Sequence, residues 1–316
     1  MCCSAAHAIN ETFDGPRAEV GIVVQGGLYN ALVRALPDGI RVDDTRYDTV
    51  RYVDAWPDSY RATGQVGPVG ALTVDGGWND PAGRRDTPPA PAIASGQALA
   101  RLLEARGIRV GPVTRGSAPA GARTVATVQS APLRDVVAGI LASSDNHGAE
   151  MLLKEVAVDA GKRPGTTEAG ARAARRALER AGVATDGIVQ HDGSGLARDD
   201  RASCRTLLDV LRLGDRPRLR ALRDGLAVAG ERGTLAPRLG GSPLRGRLVA
   251  KTGTLDGTSG LVGTTTVRRT LRFSLLLNGS LDEATAKDRR EAMAAAIARF
   301  PDVTDPETLV PVPGAP

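Results

Sequence analysis

The sequence predicts an α+β fold in which several helices precede an antiparallel sheet and one helix closes the domain. Three features of the 316 residues support this prediction. Helical patterns follow one another between residues 132 and 214. Three β-rich segments then occur between 246 and 279, and a further helical pattern follows them. Between 14 and 125, shorter strand and helix patterns alternate with Pro and Gly, which predicts an inserted mixed α/β module.

The first part of the chain consists of short elements with frequent breaks. The predicted elements are the end of a helix at 1–10, strands at 19–27, 40–48, 70–78, 107–113 and 123–130, helices at 28–39 and 92–106, and a Pro-rich linker at 80–91. The helix at 28–39 is inferred from an amphipathic pattern that Pro37 and Gly39 close. The helix at 92–106 is inferred from Leu99, Leu102 and Leu103, which share one face.

The second part of the chain has longer elements with clearer ends. Helices are predicted at 132–144, 147–161, 166–182, 201–214 and 282–300, and strands at 246–253, 259–267 and 270–279. Thr166 and Gly182 suit the two ends of the third helix, and Asp282 suits the start of the last one. The apolar stripe that predicts the buried face of the second helix consists of Ala149, Leu152, Leu153 and Val156.

The composition argues against several functional classes. A net charge of +5 suits an anionic partner such as a cell-wall polymer, but the charges are spread along the chain. Aromatic residues make up 3% of the chain, too few for base stacking, so no nucleic-acid partner is expected. The chain has no run of about 18 apolar residues, so no transmembrane segment is expected. Cys2, Cys3 and Cys204 follow no metal-ligand or disulfide spacing, so neither a metal nor a cofactor is expected.

Two tripeptides carry functional groups suited to acyl transfer. Ser144-Asp145-Asn146 places a hydroxyl, a carboxylate and an amide directly before a predicted helix, and Lys251-Thr252-Gly253 lies on a predicted strand. Acyl transfer needs a nucleophile, a base, a proton shuttle and an oxyanion hole. Ser144 could be nucleophile or shuttle, and Asn146 could orient a lysine amine and a substrate carbonyl. Gly253 lets another backbone approach, so a substrate could add to this strand. Taken singly, each tripeptide also fits a purely structural role, as a helix N-cap or an exposed strand end.

In combination and in this order, the two tripeptides resemble the S-D-N and K-T-G elements of penicillin-binding proteins and class A β-lactamases. The segment SSDNHGAEMLLKEVA at 143–157 resembles the S-D-N-x-x-A-E-x-L-L segment of the D-alanyl-D-alanine carboxypeptidase/endopeptidase family, peptidase family S13, of the penicillin-binding protein 4 or DacB type. HDGSGLARDDRAS at 191–203 resembles the D-G-S-G-L-S-R stretch of that family, and the segments 226–239 and 245–263 are similar to it as well. The resemblance extends from residue 1 to about residue 300.

The resemblance implies the domain organisation. It implies a penicillin-binding-protein/β-lactamase-like transpeptidase domain, an antiparallel sheet with helices, formed by 1–13 and 126–305. The inserted α/β module is expected at 14–125, and a loose tail at 306–316.

The resemblance also implies roles for individual residues. Ser144 would relay a proton to the leaving D-alanine amine, and Asn146 would contact the substrate amide and the catalytic lysine. Lys251 would hold the relay and attract the substrate carboxylate. Thr252 and Thr254 would bind the terminal carboxylate or the main chain of the substrate, and the Thr254 N–H would form half of the oxyanion hole.

Three further features near these motifs receive no chemical step. The Asp-Gly-Ser-Gly-Leu stretch at 192–196 is expected to shape the floor of the site. His147 and His191 flank the motifs and are interpreted as bystanders, because the family's chemistry needs no histidine base.

The nucleophile of the family is the serine of an S-x-x-K motif, and its base is the lysine of that motif. The 316 residues contain no such motif: the partial candidate ahead of Ser144 runs from Ser4 to His7, and the first lysine is Lys154. The start MCCSAAHAIN resembles the text that follows the motif, with Met1 at the lysine position. We therefore expect that the chain begins just after the nucleophile, through a truncated gene model, a late start codon or gene decay, and that it has little or no activity as written. The interval before Ser144 is also short for the family, so part of the insert is expected to be reduced.

The leading functional interpretation is a serine-type D-alanyl-D-alanine carboxypeptidase/endopeptidase that acts on peptidoglycan stem peptides through an acyl-enzyme. β-Lactams are the expected inhibitors if the nucleophile is present. One alternative is a non-catalytic peptidoglycan-binding pseudoenzyme that keeps the groove beside Lys251. Another is a β-lactamase or esterase of the same superfamily, for which the sequence shows no E-x-x-x-N-type loop. The family implies a periplasmic, secreted or cell-wall location, although no signal peptide is visible in the sequence.

Overall fold

The computed structural model of the chain describes residues 20–26, 29–35, 39–84, 86–124, 126–280 and 282–302. These residues divide into two compact units, each built from three segments. The first unit comprises the described parts of 1–133, 146–177 and 189–200, and the second unit comprises those of 134–145, 178–188 and 201–316. The predicted helix end at 1–10 and the loose tail at 306–316 lie outside the described residues. The predicted boundaries of the insert, 14 and 125, stay predictions.

One sheet of the first unit has the strand order β2-β1-β5. β1 (Val20–Gly26) confirms the strand predicted at 19–27, and β5 (Ala126–Gln129) lies parallel to it. β2 (Tyr29–Ala35) pairs antiparallel with β1, so the helix predicted at 28–39 is wrong. All seven residues of β2 have a partner in β1. The hydrogen bonds of this ladder satisfy the backbone groups that would otherwise pair within a helix. Their contribution outweighs the weak helical pattern of the segment.

A second small sheet in the first unit consists of β3 (Ile40–Val42) and β4 (Val113–Arg115), which run parallel. Helix α2 (Pro91–Glu104) packs on this sheet, and a Cβ at Gly96 would lie 2.6 Å from Val113 Cγ1. Glycine therefore permits the close approach of the helix to the strand. The structure confirms the helix predicted in this region, although Leu102 is exposed while the other two predicted face residues pack on the core.

Three strand predictions in the first unit need correction. The strand predicted at 40–48 forms only at Ile40–Val42. The strand predicted at 70–78 is wrong, because the chain there forms a short 3-10 turn, Asp75–Gly77, with positive φ at all three residues. Positive φ interrupts the extended conformation that a strand needs. The strand predicted at 107–113 forms only from Val113 onward. Helix α1 (Asp58–Ala62) was not predicted.

The apolar pattern of helix α4 (Asn146–Asp159) predicted its buried face only in part, since Leu153 is buried but Ala149 and Leu152 are not. Val156, part of the predicted stripe, is 38% exposed, whereas Glu150 and Lys154 are buried. Lys154 is buried because its ammonium group donates to the Asp48 carboxylate and to the Val50 carbonyl. A charge is tolerated inside a protein when it is paired in this way, and an apolar pattern alone does not reveal the partner.

Helix α5 (Thr167–Arg180) has the ends that the sequence predicted. The Thr166 hydroxyl accepts a hydrogen bond from the Ala169 N–H at 3.1 Å, and Gly182 follows the helix with φ of 82°. A capping hydroxyl and a left-handed glycine satisfy backbone groups that a helix leaves unpaired at its two ends.

The second unit is built on an antiparallel sheet with the strand order β6-β7-β8-β9. Its strands are β6 (Ala227–Val228), β7 (Leu248–Leu255), β8 (Thr258–Thr265) and β9 (Leu271–Asn278). This meander confirms the three strands predicted between 246 and 279, and with them the α+β class of fold.

Four helices accompany this sheet: α3 (Leu133–Ser143), α6 (Cys204–Leu213), α7 (Ala221–Asp224) and α8 (Glu283–Ala298). α6 and α8 pack against β8 and β9. The Asp282 carboxylate caps α8, as predicted, by accepting from the Thr285 N–H at 2.9 Å. In the described part of the chain, no helix is long and apolar enough to cross a membrane.

The core of the second unit should depend strongly on Leu261 in β8. Leu261 is fully buried and belongs to the cluster that joins the sheet to α8. We expect Leu261→Ala to lower the free energy of unfolding by about 2–5 kcal/mol, because it removes buried methyl groups and leaves a cavity. Urea unfolding followed by circular dichroism measures this change. The matched control is Leu133→Ala, whose side chain is 61% exposed, and its expected effect is within about 0.5 kcal/mol. Equal effects of the two substitutions would contradict this description of the core.

Candidate active site

Ser144 occupies a left-handed turn at the end of α3. Its φ is 57°, and the N–H of the next residue, Asp145, donates to the Ile140 carbonyl at 3.1 Å. This is the bond that closes a helix at a position usually taken by glycine. A serine with positive φ costs free energy, and residues held in this way often belong to functional sites. The turn holds the Ser144 side chain at the junction between two helices.

Lys251 on β7 contacts Ser144 directly. Its Nζ donates to Ser144 Oγ at 2.7 Å and to the Thr252 carbonyl at 2.6 Å. Because Ser144 Oγ accepts this bond, its own hydroxyl proton remains available for another acceptor. Burial and, after it, the positive charge of Arg290 together lower the pKa of Lys251 to about 8. The Lys251 amine can therefore gain and lose a proton near neutral pH.

The strand that carries Lys251 has an open edge. β6 pairs with β7 at Val249 and Ala250, and among the described residues no strand continues this pairing from Lys251 to Leu255. Gly253 is exposed, and a Cβ there would meet no described atom within 4 Å. Unpaired backbone groups beside open space can bind an extended peptide as an additional strand.

Asn146 and His147, which follow Ser144 closely in the sequence, belong to the first unit. Asn146 begins α4, and its side-chain amide donates to the Gln65 carbonyl at 2.9 Å. His147 is buried, with Nε2 at 3.2 Å from the Pro68 carbonyl oxygen. The predicted contact of Asn146 with substrate and lysine stays a prediction.

The loop at 192–196 is held rigidly within the first unit by two carboxylates. Glu150 on α4 accepts from the N–H groups of Gly193 at 2.9 Å and Ser194 at 2.7 Å. Asp192 accepts from Trp56 Nε1 at 2.7 Å and from the N–H groups of Gly195 and Ala197. Burial raises the pKa of Glu150 to about 7, and the negative charge of Asp192 contributes to the rise. The loop is thus fixed to the helix that Asn146 begins.

Comparison with known protein families identifies the family to which this chain belongs. Residues 81–300 match the D-Ala-D-Ala carboxypeptidase 3 (S13) family. The chain belongs to this family. The resemblance seen in the sequence motifs is therefore confirmed.

Individual relatives agree with this assignment. The chain is 35% identical over 277 residues to carboxypeptidase DacB of Mycolicibacterium smegmatis, covering 82% of this chain and 58% of that protein. It is 33% identical over 256 residues to the D-alanyl-D-alanine carboxypeptidase of Actinomadura sp. strain R39, covering 78% and 47%. The chain thus spans about half the length of the curated relatives it matches.

The fold agrees with a solved structure. The crystal structure of penicillin binding protein 4 (DacB) from Haemophilus influenzae superposes with a TM-score of 0.67 at 17% identity, covering 88% of this chain and 85% of that one. This likeness confirms the penicillin-binding-protein type of α+β fold.

In this S13 chain, two residues that contact the Lys251 strand were not predicted from the sequence. The first is Thr234. Its hydroxyl lies 2.9 Å from that of Thr252. The neighbouring Gly233 has φ of 65°, and a Cβ there would lie 2.3 Å from the Ala142 carbonyl oxygen. Gly233 therefore lets α3 approach closely, which places Ser144 beside β7. In the sequence, Gly233 and Thr234 were recognised only as part of the segment 226–239, which resembles the family.

The second missed residue is Arg290, on the buried face of α8. Its side chain is 2% exposed and donates to the Gly253 carbonyl at 3.0 Å and to Thr254 Oγ1 at 3.1 Å. A signal was present in the sequence. The buried residues of α8 recur at every fourth position, and in that series Arg290 is the sole charged member among Ala286, Ala294 and Ala298.

The altered pKa of Lys251 should be visible in a titration. With lysines labelled by ¹³C reductive methylation, we expect the Lys251 signal to titrate with a midpoint of about 8, below the ordinary 10.5, because the amine is buried near Arg290. The folded chain then binds fewer protons than the unfolded chain between pH 8 and 10.5, so this group's contribution to the free energy of unfolding rises with pH across that window.

Lys251→Met tests the assignment of this titration. The variant should lose the signal and the rise in stability relative to the native chain between pH 8 and 10.5. A Lys251 midpoint near 10.5, or a rise that persists in the variant, would contradict the described environment of the amine.

Proposed function

We propose that this chain carries the proton relay and the substrate-binding strand of a serine-type D-Ala-D-Ala carboxypeptidase/endopeptidase that acts on peptidoglycan stem peptides. The observation that carries this proposal is the 2.7 Å bond from Lys251 Nζ to Ser144 Oγ beside an open strand edge. The names of the relatives support the substrate class. Because peptidoglycan lies outside the cytoplasmic membrane, we infer an extracytoplasmic location.

In the proposed reaction, an acylating serine attacks the carbonyl carbon of the penultimate D-alanine. The amide C–N bond breaks, and the terminal D-alanine leaves as an amine. The proton lost by the attacking serine passes to a base and through Ser144 Oγ to the leaving nitrogen, so Ser144 ends the step with its own proton restored. Water then hydrolyses the ester and releases the shortened peptide. Lys251 holds Ser144 in place for this transfer.

The substrate would lie along the open edge of β7. Its terminal carboxylate would meet Lys251 and the hydroxyls of Thr252 and Thr254, while Gly253 leaves room for its backbone. The Thr254 N–H would stabilise the oxyanion. Asn146 would contact the substrate amide. These roles are inferred from the chemistry of one lysine and two hydroxyl groups on one strand.

A second candidate function is binding of the same peptides without turnover. The 316 residues retain the Lys251 strand but contain no Ser-x-x-Lys sequence to supply the acylating serine and its base. The polypeptide of these 316 residues would then recognise peptidoglycan ends by the same contacts.

Peptide binding tests the substrate class that both candidates share. We expect diacetyl-L-Lys-D-Ala-D-Ala to bind the chain saturably in isothermal titration calorimetry. Lys251→Met should weaken binding roughly 10-fold or more, because it removes a charge-assisted hydrogen bond to the carboxylate. The matched control is Lys287→Met, since Lys287 pairs with Glu283 on the surface of α8. Equal losses in the two variants, or no saturable binding by the native chain, would refute the proposed site.

Covalent labelling tests whether the 316-residue polypeptide contains an acylating serine. We expect that fluorescent penicillin does not label the 316-residue polypeptide, because it has no Ser-x-x-Lys pair to form the acyl-enzyme. Gel fluorescence after denaturation measures the label. A stable label would contradict this expectation, and mapping of the acylated residue to Ser144 by peptide mass spectrometry would identify Ser144 as nucleophile and exclude its role as relay.

A further inference from the structure

Arg290 occupies an unusual position for a charged residue. It lies on the buried face of α8, 2% exposed, and all its hydrogen bonds in the described structure leave from Nη1. The acceptors are the Gly253 carbonyl at 3.0 Å, Thr254 Oγ1 at 3.1 Å, Ser259 Oγ at 3.0 Å and the Gly260 carbonyl at 3.3 Å. Two of these acceptors belong to the segment of β7 that follows Lys251. The residue therefore lies directly behind the proposed substrate strand.

Each of the four acceptors of Arg290 is neutral. Among the residues that the structure describes, Arg290 forms no ion pair, and the adjacent Glu291 pairs with Arg238 instead. The Nε of Arg290 is buried without a hydrogen-bond partner in the same part of the chain. A buried guanidinium is costly unless an opposite charge compensates it. The charges of Glu291 and Glu283 act on Arg290 without an ion-pair contact among the described residues, so its field at the adjacent strand still favours an anion there.

The bond to the Gly253 carbonyl fixes the orientation of one peptide group. The C=O of Gly253 and the N–H of Thr254 belong to the same trans peptide plane and point in opposite directions. Since Arg290 holds the carbonyl, the Thr254 N–H points away from Arg290. This N–H is the proposed oxyanion donor, so its direction is set from behind by α8.

The bond to Thr254 Oγ1 fixes the direction of a hydroxyl. A hydroxyl has one proton to donate, and Arg290 can only donate because a guanidinium has no acceptor. Thr254 Oγ1 therefore accepts from Arg290, and its proton is left for a different acceptor. An anionic oxygen is the acceptor that this arrangement favours.

We propose that Arg290 is a positioning residue that makes the edge formed by Lys251, Thr252, Gly253 and Thr254 selective for a ligand with a free terminal carboxylate. This inference rests on the proposed function. Arg290 need not touch the ligand, because it acts through the Thr254 hydroxyl, the Gly253–Thr254 peptide group and its own charge.

The test compares two ligands, diacetyl-L-Lys-D-Ala-D-Ala and the same peptide with a C-terminal amide. We expect the native chain to prefer the acid about 10-fold or more, as for a charge-assisted hydrogen bond. Arg290→Met should reduce this preference to about 2-fold or less while the affinity for the amide changes little. Arg290→Lys keeps the charge without the fork of donors and should restore part of the preference.

The matched control is Arg289→Met, an adjacent exposed arginine on the same helix, which should leave the preference unchanged. If Arg290→Met fails to fold, as judged by circular dichroism, Thr254→Val provides the test, because it removes the oriented hydroxyl at similar volume. Ser259→Ala, which removes a different acceptor of Arg290, should keep the preference.

The outcomes separate this inference from the proposed function. If the native chain prefers the acid and both Arg290→Met and Thr254→Val keep that preference, Arg290 does not position the site, and the proposed function stands. If the native chain binds neither peptide, the proposed function fails and this inference fails with it.

Discussion

The candidate site in the second unit depends on the bond between Lys251 and Ser144. The bond joins the end of α3 to β7, and it requires several otherwise unfavourable features to coincide. Ser144 must hold a left-handed conformation, and Lys251 must be partly desolvated. Gly233 must lack a side chain so that α3 can approach. Features that each cost stability persist together when the surrounding structure enforces them, and such clusters are typical of functional sites.

Local signals predicted a large part of the fold. Side-chain caps such as Thr166 and Asp282 were identified correctly because a cap depends on residues within one helical turn. Predictions failed where a distant partner decided the outcome. The segment 28–39 became a strand because β1 pairs with it, and Lys154 is buried because Asp48 neutralises it. Neither partner can be inferred from a local pattern.

The same distinction applies to the candidate site. Ser144 and Lys251 were identified in the sequence because each belongs to a short motif of chemically distinctive residues, and the structure brings these two together. Thr234 and Arg290 were not identified in the sequence, because they contact β7 from other elements of the second unit. The register of α8 against the sheet puts Arg290 behind Gly253 and Thr254, and this register follows from packing of the alanines of α8. Such tertiary packing is the information that one sequence lacks.

Two cations beside one strand differ in a way that matters for the proposed chemistry. Lys251, whose pKa burial lowers to about 8, can gain and lose a proton near neutral pH. Arg290 stays charged, because a guanidinium does not deprotonate in proteins. The electrostatic field of Arg290 at Gly253 and Thr254 is therefore constant, while the charge of Lys251 varies with its protonation. Under the proposed function, the orientation of Gly253 and Thr254 that favours the carboxylate is then maintained whatever the protonation state of Lys251.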